Sequence, residues 1–286
     1  MVSVADRLAA ARSRLIEAGL TPGEAALDAE VLARHILGWD RAALLTHGRE
    51  PERQGFGDAL DALIERRAER EPVAQIIGRR EFWGLDFEVN RDVLVPRPET
   101  ELIVDEALAF SRERTLTHVI DVGTGSGCIA IALATELPAI RVSATDTSLS
   151  AIEVARRNAS AHGVDSRIEF HLGNVLEDVD GPAELIVSNP PYVPEGMAPH
   201  LQPEVVRYEP HAALFGGETG LEVIMALFQQ APGRLAAGGR LIVEFGFGQR
   251  EGVERLAAAN GWTIIRTRED LQGIPRTMVL GRSVVR

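Results

Sequence analysis

The segment "HVIDVGTGSGCIAIALA", residues 118–134, indicates the architecture of most of this chain. A short apolar run leads into glycines at positions 123, 125 and 127, and a longer apolar run rich in alanine follows. This order is typical of a buried strand, a tight turn and a helix. A glycine-rich turn at the start of a helix lets a ligand approach the backbone closely, although it can also be no more than a tight connection.

Outward from this segment, apolar runs of strand length alternate with helical stretches. The further strand candidates are "RVSATD", "RIEFHLG", "ELIVSN" and "RLIVEFG", and "SLSAIEVARRNASAHG" is one of the helical stretches. Because parallel strands need crossover connections, this alternation predicts an α/β fold with a doubly wound, mostly parallel sheet and helices on both faces. We assign residues 99–286 to this domain.

Residues 1–75 predict a small helical domain. In "TPGEAALDAEVLARHILG", residues 21–38, Thr21 is placed at the N-cap, Glu24 completes a capping box and Gly38 ends the helix. We expect one buried apolar stripe on this helix, formed by Leu27, Val31, Leu32, Ile36 and Leu37. A second helix, about residues 57–70, places Leu60, Leu63 and Ile64 on one face.

Residues 76–98 predict a β-hairpin that connects the two domains. In "EFWGLDFEVNRDVLVPRPETE", residues 81–101, apolar residues alternate on either side of "VNRD", so we expect the turn there. Pro96 and Pro98 then favour an extended segment.

Composition excludes several classes of site. Cys128 is the only cysteine, which excludes an intramolecular disulfide and a cysteine-based zinc site. The seven histidines are not closely paired, so we predict no metal site. All 30 basic residues are arginine, which excludes a P-loop lysine and a lysine Schiff base.

The net charge of -12 is unevenly distributed. Residues 1–80 contain 12 arginines and 13 acids, a balance of -1, and the other 18 arginines and 29 acids give residues 81–286 a balance of -11. Proteins that bind many phosphates usually present a basic face. We therefore do not expect a nucleic acid as the main substrate.

The sequence also bears on where the protein acts. Its apolar runs end after a few residues, far short of the roughly 20 that a membrane-spanning helix needs. The start, "MVSVADRLAAARSRL", is amphipathic and charged, unlike the apolar core of a secretory signal. We expect a cytoplasmic protein that binds no membrane and acts as a monomer.

An acid follows the glycine-rich segment at the distance that nucleoside binding requires. The glycine spacing is GxGxG, which differs from the GxGxxG dinucleotide fingerprint. Asp146 ends the second strand, where its carboxylate can accept hydrogen bonds from both ribose hydroxyls of a nucleoside. A purely structural role, as a helix N-cap or as the acid of the turn before "TSLS", is the alternative.

The stretch "ELIVSNPPYVPEG", residues 184–196, closes the fourth strand with residues that no strand interior favours. The Asn189 side-chain oxygen can accept one N–H of a planar amino or amide group, and the Pro190 carbonyl, whose direction Pro191 fixes, can accept the other. Tyr192 offers a ring that can stack on the same group. A strand-ending Asn-Pro turn would explain Asn189 and one proline, but it would not explain the tyrosine.

These motifs resemble those of class I S-adenosylmethionine-dependent methyltransferases that modify nitrogen in planar amino or amide groups. Further stretches are similar to the HemK/PrmC family, the glutamine methyltransferases of peptide-chain release factors. They are "EPVAQIIGRREFWGLDFEV", "VLVPRPETE", "YEPHAALFGGETGL", "LIVEFG" and "DLQGIPR". The similarity covers nearly the whole chain.

The resemblance implies transfer of a methyl group from S-adenosylmethionine to the side-chain amide nitrogen of the glutamine in the GGQ tripeptide of class-1 release factors, with S-adenosylhomocysteine as product. It places Asn189, Pro190, Pro191 and Tyr192 at the substrate amide. The cofactor-binding residues that it implies are Gly123, Thr124, Gly125, Ser126 and Gly127 around the methionine part, Asp146 at the ribose, Asn174 and Val175 at the adenine, and Asn189. The residues Asn174 and Val175 depart from the family, which more often has an aspartate and a bulkier residue, and Gln75 stands where the family usually has a tyrosine.

Three alternatives stay open. A glutamine methyltransferase of a ribosomal protein would share the whole active site. An adenine-N6 methyltransferase of DNA or RNA would use the same Asn-Pro-Pro-Tyr to hold a flipped base, but the acidic α/β domain argues against it. A cofactor-binding module without catalysis would have little use for an intact Asn-Pro-Pro-Tyr.

Overall fold

The computed structural model describes residues 2–282, and these fall into two compact units. The first unit comprises the chain up to Gly78 together with Gln202–Tyr208, and the second comprises the rest. Within the described part of the chain, no helix has the length and apolar character that a membrane crossing requires.

The first unit is helical, as the sequence predicts. Its helices are α1 (Val4–Glu17), α2 (Pro22–Leu37), α3 (Arg41–His47), α4 (Phe56–Ala68), α5 (Val73–Ile77) and, much later in the chain, α9 (Pro203–Tyr208). The predicted capping box of α2 is confirmed, because the Glu24 N–H donates to Thr21 Oγ1 and the Thr21 N–H donates to Glu24 Oε2 at 2.9 Å. Gly38 ends this helix in the left-handed conformation, with φ at 65°.

The predicted apolar stripe of α2 is wrong at Leu27, whose side chain is 61% exposed. The buried face consists of Ala25, Ala29, Leu32, Ala33 and Leu37. Successive helical residues are separated by roughly 100°, so Leu27 lies about 200° around the helix from Ala25. The prediction followed the large apolar residues, whereas the small alanines mark the side that packs against α1 and α4.

The segment 202–208 lies within the predicted α/β domain in sequence but belongs to the helical unit in the structure. Glu204 on α9 accepts hydrogen bonds from Arg67 Nη2 at 3.1 Å and from Arg70 Nη2 at 2.7 Å. Gln75 Nε2 donates to the Tyr208 carbonyl at 3.1 Å. These bonds join α9 to α4 and α5, and no local sequence pattern reveals a partner more than 130 positions away.

The second unit contains the predicted sheet. Its strands are β3 (His118–Val122), β4 (Arg141–Asp146), β5 (Ile168–Leu172), β6 (Ala183–Ser188), β7 (Leu235–Glu244), β8 (Trp262–Glu269) and β9 (Pro275–Arg282). They are ordered β5-β4-β3-β6-β7-β9-β8, with β3 to β7 parallel and β9 antiparallel to both of its neighbours. The five predicted strands and the mostly parallel sheet are confirmed, and the two strands at the end of the chain were not predicted.

Helices cover both faces of this sheet, as expected for a doubly wound fold. On one face lie α6 (Glu101–Glu113), α7 (Cys128–Glu136) and α8 (Leu149–Ala161), and on the other lie α11 (Glu222–Gln230) and α12 (Arg250–Ala259). The short helix α10 (His211–Leu214) precedes α11. An apolar core lies between the sheet and the helices on each face. The carboxyl ends of the central parallel strands lie together at one edge of the sheet.

A two-stranded hairpin, β1 (Arg79–Phe82) and β2 (Leu85–Glu88), begins the second unit. The hairpin was predicted, but its turn is at Trp83 and Gly84 rather than at "VNRD". Both turn residues have positive φ, 54° and 71°, as a type I′ turn requires. Tryptophan rarely adopts this conformation, so the sequence gives no turn signal at Trp83.

We predict that Leu32→Ala and Leu27→Ala differ sharply in their effect on stability. Leu32 is fully buried, so its truncation should lower the free energy of unfolding by about 3 kcal/mol. Leu27 is exposed, and its truncation should change that free energy by less than about 0.5 kcal/mol. Urea unfolding followed by circular dichroism would measure both, and equal losses would contradict the packing of α2 described above.

Candidate active site

A cavity of about 330 Å³ opens at the carboxyl ends of the parallel strands. This is the edge at which open α/β sheets bind ligands. The structure brings most of the predicted site residues together here: the lining includes Gly123, Gly125, Asp146, Asn174, Val175, Asn189, Pro190 and Pro191. Thr124, Ser126, Gly127 and Tyr192 are not among the lining residues.

The glycine-rich turn between β3 and α7 has two functions. Gly123 and Gly125, with φ of 72° and 55°, form part of the cavity wall. Gly127, with φ of 82°, is needed for packing instead, because a Cβ there would lie 2.9 Å from Ile131 Cδ1 and 3.2 Å from Ala155 Cβ. The first two glycines therefore leave backbone open at the cavity, and the third lets α7 and α8 approach the turn.

Asp121, which the sequence did not identify as a site residue, holds this turn in place. Its Oδ2 accepts hydrogen bonds from Thr124 Oγ1 at 2.8 Å and from the Ala130 N–H at 3.2 Å. Burial raises the pKa of Asp121 to about 7, although both hydrogen bonds oppose that rise. Oδ1 is buried and meets no partner within residues 2–282.

Asp146 lines the cavity and makes the turn contacts of the structural alternative. Its Oδ1 accepts from the Ser148 N–H at 2.9 Å, as a turn acid would, and its Oδ2 accepts from the Gly125 N–H at 2.9 Å. Burial raises the pKa of this carboxyl. Each carboxylate oxygen can accept a second hydrogen bond, so both oxygens can also receive hydroxyl donors from a ligand in the cavity.

The backbone is strained at the wall next to Asp146. Val175 has φ of 55°, a conformation that a β-branched residue rarely adopts and that costs on the order of 1–3 kcal/mol. Thr145 Oγ1 donates to the Val175 carbonyl at 2.9 Å and so helps to hold it. Val175 and the exposed Asn174 both line the cavity. Strain that persists beside a cavity is typical of a binding site.

The Asn-Pro-Pro-Tyr segment follows β6 directly and is held from both ends by side chains. Asn189 Nδ2 donates to Thr100 Oγ1 at 2.9 Å, and the Tyr192 hydroxyl donates to Glu244 Oε1 at 3.2 Å. Thr100 Oγ1 in turn donates to Glu244 Oε2 at 2.7 Å. One carboxylate, at the end of β7, therefore anchors both the asparagine and the tyrosine.

Glu244 is 1% exposed, and burial raises its pKa to about 7. The hydrogen bonds that it receives from Thr100 and Tyr192 oppose this rise, because they stabilise the ionised form. The nearby carboxylate and burial also raise the pKa of the Tyr192 hydroxyl. Neither Thr100 nor Glu244 was predicted as a site residue. The only signal that could have suggested such a role is their chemistry, since one is a hydrogen-bond donor and the other an acceptor in buried positions.

The loop "FGGETG", residues 215–220, fits closely against the backbone of the Asn-Pro-Pro-Tyr segment. A Cβ on Gly216 would lie 2.2 Å from the Pro191 carbonyl oxygen, and a Cβ on Gly220 would lie 2.2 Å from the Tyr192 carbonyl oxygen. Gln249 Nε2 donates to the same Tyr192 oxygen at 2.7 Å. The two glycines thus leave room for the segment, and Gln249 fixes its end.

A further ion pair links two of the stretches that carried the resemblance. Arg97 Nη2 donates to both carboxylate oxygens of Glu209, at 2.6 and 2.7 Å. Glu209 is buried, which raises its pKa. The residue that follows it, Pro210, lines the cavity. The pair therefore joins the segment before α6 to the chain that borders the site.

Comparisons with known proteins agree with this geometry. Residues 6–78 match the PrmC N-terminal domain family, and residues 100–207 match the methyltransferase small domain family. The ribosomal protein L11 methylase from Lactobacillus delbrueckii subsp. bulgaricus superposes with a TM-score of 0.50 at 25% identity, over 65% of this chain and 80% of that chain. The hMettl16 catalytic domain, at 16% identity and a TM-score of 0.58, covers 76% of this chain and 82% of that chain and shares the fold alone.

The fold and the site thus define a class I methyltransferase. Two relatives are more specific. The release factor glutamine methyltransferase of Cereibacter sphaeroides is 43% identical over 95% of this chain and 96% of its own length, and that of Bradyrhizobium diazoefficiens is 42% identical over 89% and 87%. The chain belongs to the family of release factor glutamine methyltransferases.

We predict that Gly216→Ala destabilises the protein, whereas Gly196→Ala does not. The new methyl group at position 216 would collide with the Pro191 backbone, which should cost about 1–3 kcal/mol and displace the Asn-Pro-Pro-Tyr segment. No atom lies within 4 Å of a Cβ at Gly196, so the control should change stability by less than about 0.5 kcal/mol. Thermal unfolding measures both, and an unchanged melting temperature for Gly216→Ala would contradict the close fit.

Proposed function

We propose that this protein transfers a methyl group from S-adenosylmethionine to the side-chain amide nitrogen of the glutamine in the GGQ tripeptide of class-1 release factors. The observation that carries the proposal is the amide of Asn189, a residue that lines the cavity and whose NH2 donates to Thr100. Its oxygen is then free to accept an N–H from a substrate. Membership of the family of release factor glutamine methyltransferases supports the choice of substrate.

The residues of the cavity fit S-adenosylmethionine. The Asp146 carboxylate suits a ribose with two hydroxyl donors, and the open backbone at Gly123 and Gly125 suits the amino acid part. Asn174 and the strained Val175 would border the adenine. The Oδ1 of the buried Asp121 meets no partner in residues 2–282, and a positively charged ligand would favour the ionised form of this carboxyl.

The chain would act mainly by aligning a weak nucleophile. An amide nitrogen donates its lone pair into its own carbonyl, so the site must hold the NH2 with that lone pair directed at the reacting carbon. Asn189 Oδ1 and the Pro190 carbonyl would each accept one N–H and so set this direction. Both acceptors would also stabilise the positive charge that develops on nitrogen in the transition state.

S-adenosylmethionine, when bound, would supply a methyl carbon on a positively charged sulfur, so that the carbon–sulfur bond could break as the aligned amide nitrogen bonds to that carbon. The methylated nitrogen is acidic enough to lose its proton to water after transfer, so no strong general base is required. Glu244 is not among the residues that line the cavity, and its two oxygens accept from Thr100 and Tyr192. Its role is therefore to orient other groups. Tyr192 is expected to present its ring near the substrate amide.

Two other substrates are less well supported. A ribosomal protein glutamine would fit the same acceptors, but the relatives of highest identity quoted above are release factor enzymes. A flipped adenine in DNA or RNA would also fit, but the net charge of -12 opposes binding to phosphates. We expect the protein to act as a monomer in the cytoplasm, where release factors work.

Transfer of labelled methyl from S-adenosylmethionine to a purified release factor tests this function directly. We expect label on the intact factor and none on the same factor with its GGQ glutamine changed to alanine. A ribosomal protein fraction and a DNA duplex serve as the other two samples. Label on either of these but not on the factor would leave the cofactor in place and overturn the substrate.

We predict that Asn189→Ala lowers the rate of transfer by at least about 100-fold, since it removes an acceptor that acts in the transition state. Affinity for S-adenosylhomocysteine, measured by calorimetry, should fall by no more than a few fold. Asp146→Ala should show the reverse pattern, with weaker binding of S-adenosylhomocysteine as the main defect. Equal loss of binding in both variants would contradict the division between substrate-binding and cofactor-binding residues.

The helical unit is proposed to recognise the release factor, because a GGQ loop alone offers little surface. Leu27 and Leu45 are 61% and 78% exposed on this unit, so both side chains are accessible to a partner protein. We predict that Leu45→Glu raises the KM for a whole release factor by about 10-fold and leaves the KM for a short GGQ peptide unchanged. Equal effects on both substrates would indicate that the unit has only a structural role.

A further inference from the structure

Three side chains from distant parts of the chain form one continuous line of hydrogen bonds that ends in the candidate site. Asn189 Nδ2 donates to Thr100 Oγ1 at 2.9 Å, and Thr100 Oγ1 donates to Glu244 Oε2 at 2.7 Å. Thr100 and Glu244 are 2% and 1% exposed, so water cannot replace either bond. Whether each group in the line donates or accepts a hydrogen bond therefore decides which of the two its neighbour can do.

The direction of these bonds follows from the number of protons available. An ionised carboxylate only accepts hydrogen bonds, so the single hydroxyl proton of Thr100 must point to Glu244. The Thr100 oxygen can then only accept from Asn189, and of the two ends of the Asn189 amide only the NH2 can donate. The amide oxygen must face the other way, and residues 2–282 offer it no donor.

We propose that Thr100 and Glu244 are positioning residues for methyl transfer, which hold the Asn189 amide with its oxygen toward the substrate nitrogen as long as Glu244 is ionised. The proposal rests on the function proposed above. It explains why an acid is buried at the end of β7 without contact with the cavity. It also explains why Thr100, although it directly precedes α6, makes no side-chain cap to that helix.

Protonation of Glu244 would remove this constraint. A protonated carboxyl has a proton of its own to donate, so Thr100 could accept from Glu244 and turn its hydroxyl proton toward Asn189. The Asn189 amide could then rotate and present NH2 to the NH2 of the substrate. Two donors facing each other cannot hydrogen-bond, so the substrate amide would lose its alignment.

The surroundings of Glu244 place this change near neutral pH. Burial raises its pKa to about 7, and the charge of Glu99 raises it further, while Thr100, Tyr192 and Arg276 lower it. The other titratable group that senses this carboxylate is the thiol of Cys128, whose own pKa is raised to about 12 by burial. The ionised, aligned form should therefore dominate above about pH 7, and activity should rise with pH through that value.

Four variants and a pH series test the proposal in the full-length protein. Thr100→Val removes the hydroxyl at nearly constant volume, and Thr100→Ser keeps it. Glu244→Gln removes the titration. Thr277→Val is the matched control, because Thr277 lies opposite Glu244 on β9 and its buried hydroxyl has no partner in the described chain. The readouts are kcat and KM for a release factor from about pH 6 to about pH 8.5, and the affinity for S-adenosylhomocysteine.

We expect the wild-type kcat to rise through about pH 7, with little change in KM. Thr100→Val should lower kcat by about 10- to 100-fold without weakening S-adenosylhomocysteine binding, as misplacement of a reacting group does. Thr100→Ser and Thr277→Val should stay close to wild type, and Glu244→Gln should abolish the pH step. Equal rates for Thr100→Val and Thr277→Val, a poor Thr100→Ser enzyme, or a pH step that survives in Glu244→Gln would each overturn the proposal.

A second readout separates this proposal from the proposed function. The Glu244 carboxyl, assigned by its loss in Glu244→Gln, can be titrated by 13C NMR without any substrate. We expect an apparent pKa of about 7 that rises in Thr100→Val, because the Thr100 hydrogen bond lowers it. If Thr100→Val leaves the pKa of Glu244 unchanged, the proposed positioning of Asn189 is overturned. If Glu244 titrates as expected but no methyl group reaches any release factor, only the proposed function is overturned.

Discussion

The carboxylate of Glu244 is the constraint on which the site depends. A buried ionised carboxyl is costly unless it is hydrogen-bonded, and here Thr100 and Tyr192 supply the donors. The bond from Thr100 holds the Asn189 end of the Asn-Pro-Pro-Tyr segment, because Thr100 also accepts from Asn189. The bond from Tyr192 holds the other end. In the mechanism that we propose, these bonds of a single buried acid would set the alignment of a weak amide nucleophile.

The rest of the second unit brings these groups to one place. Parallel strands deliver Asp121, Asp146, Asn189 and Glu244 to the same edge of the sheet. Glycines provide the space between them, since Gly216 lets the neighbouring loop reach the Pro191 backbone. The strain at Val175 is held by the Thr145 hydrogen bond and by the surrounding apolar core. The backbone thus brings these groups close together at this edge of the sheet.

Local patterns in the sequence predicted the features that depend on neighbours in the chain. The capping box of α2, the five parallel strands and the position of Asn189 directly after β6 are of this kind. The features that were missed depend on distant partners. Thr100 and Glu244 are 144 positions apart, and α9 joins the helical unit through Arg67 and Arg70. The buried side of α2 is marked by alanines, which carry too little hydrophobic signal to outweigh Leu27.

The most direct measurement is a crystal structure of the protein with S-adenosylhomocysteine and a peptide that contains the GGQ tripeptide. We expect the glutamine amide nitrogen at about 3 Å from Asn189 Oδ1 and from the Pro190 carbonyl, with Asn189 Nδ2 still donating to Thr100. A glutamine bound away from the Asn-Pro-Pro-Tyr segment, or an Asn189 amide whose nitrogen faces the substrate, would contradict this expectation.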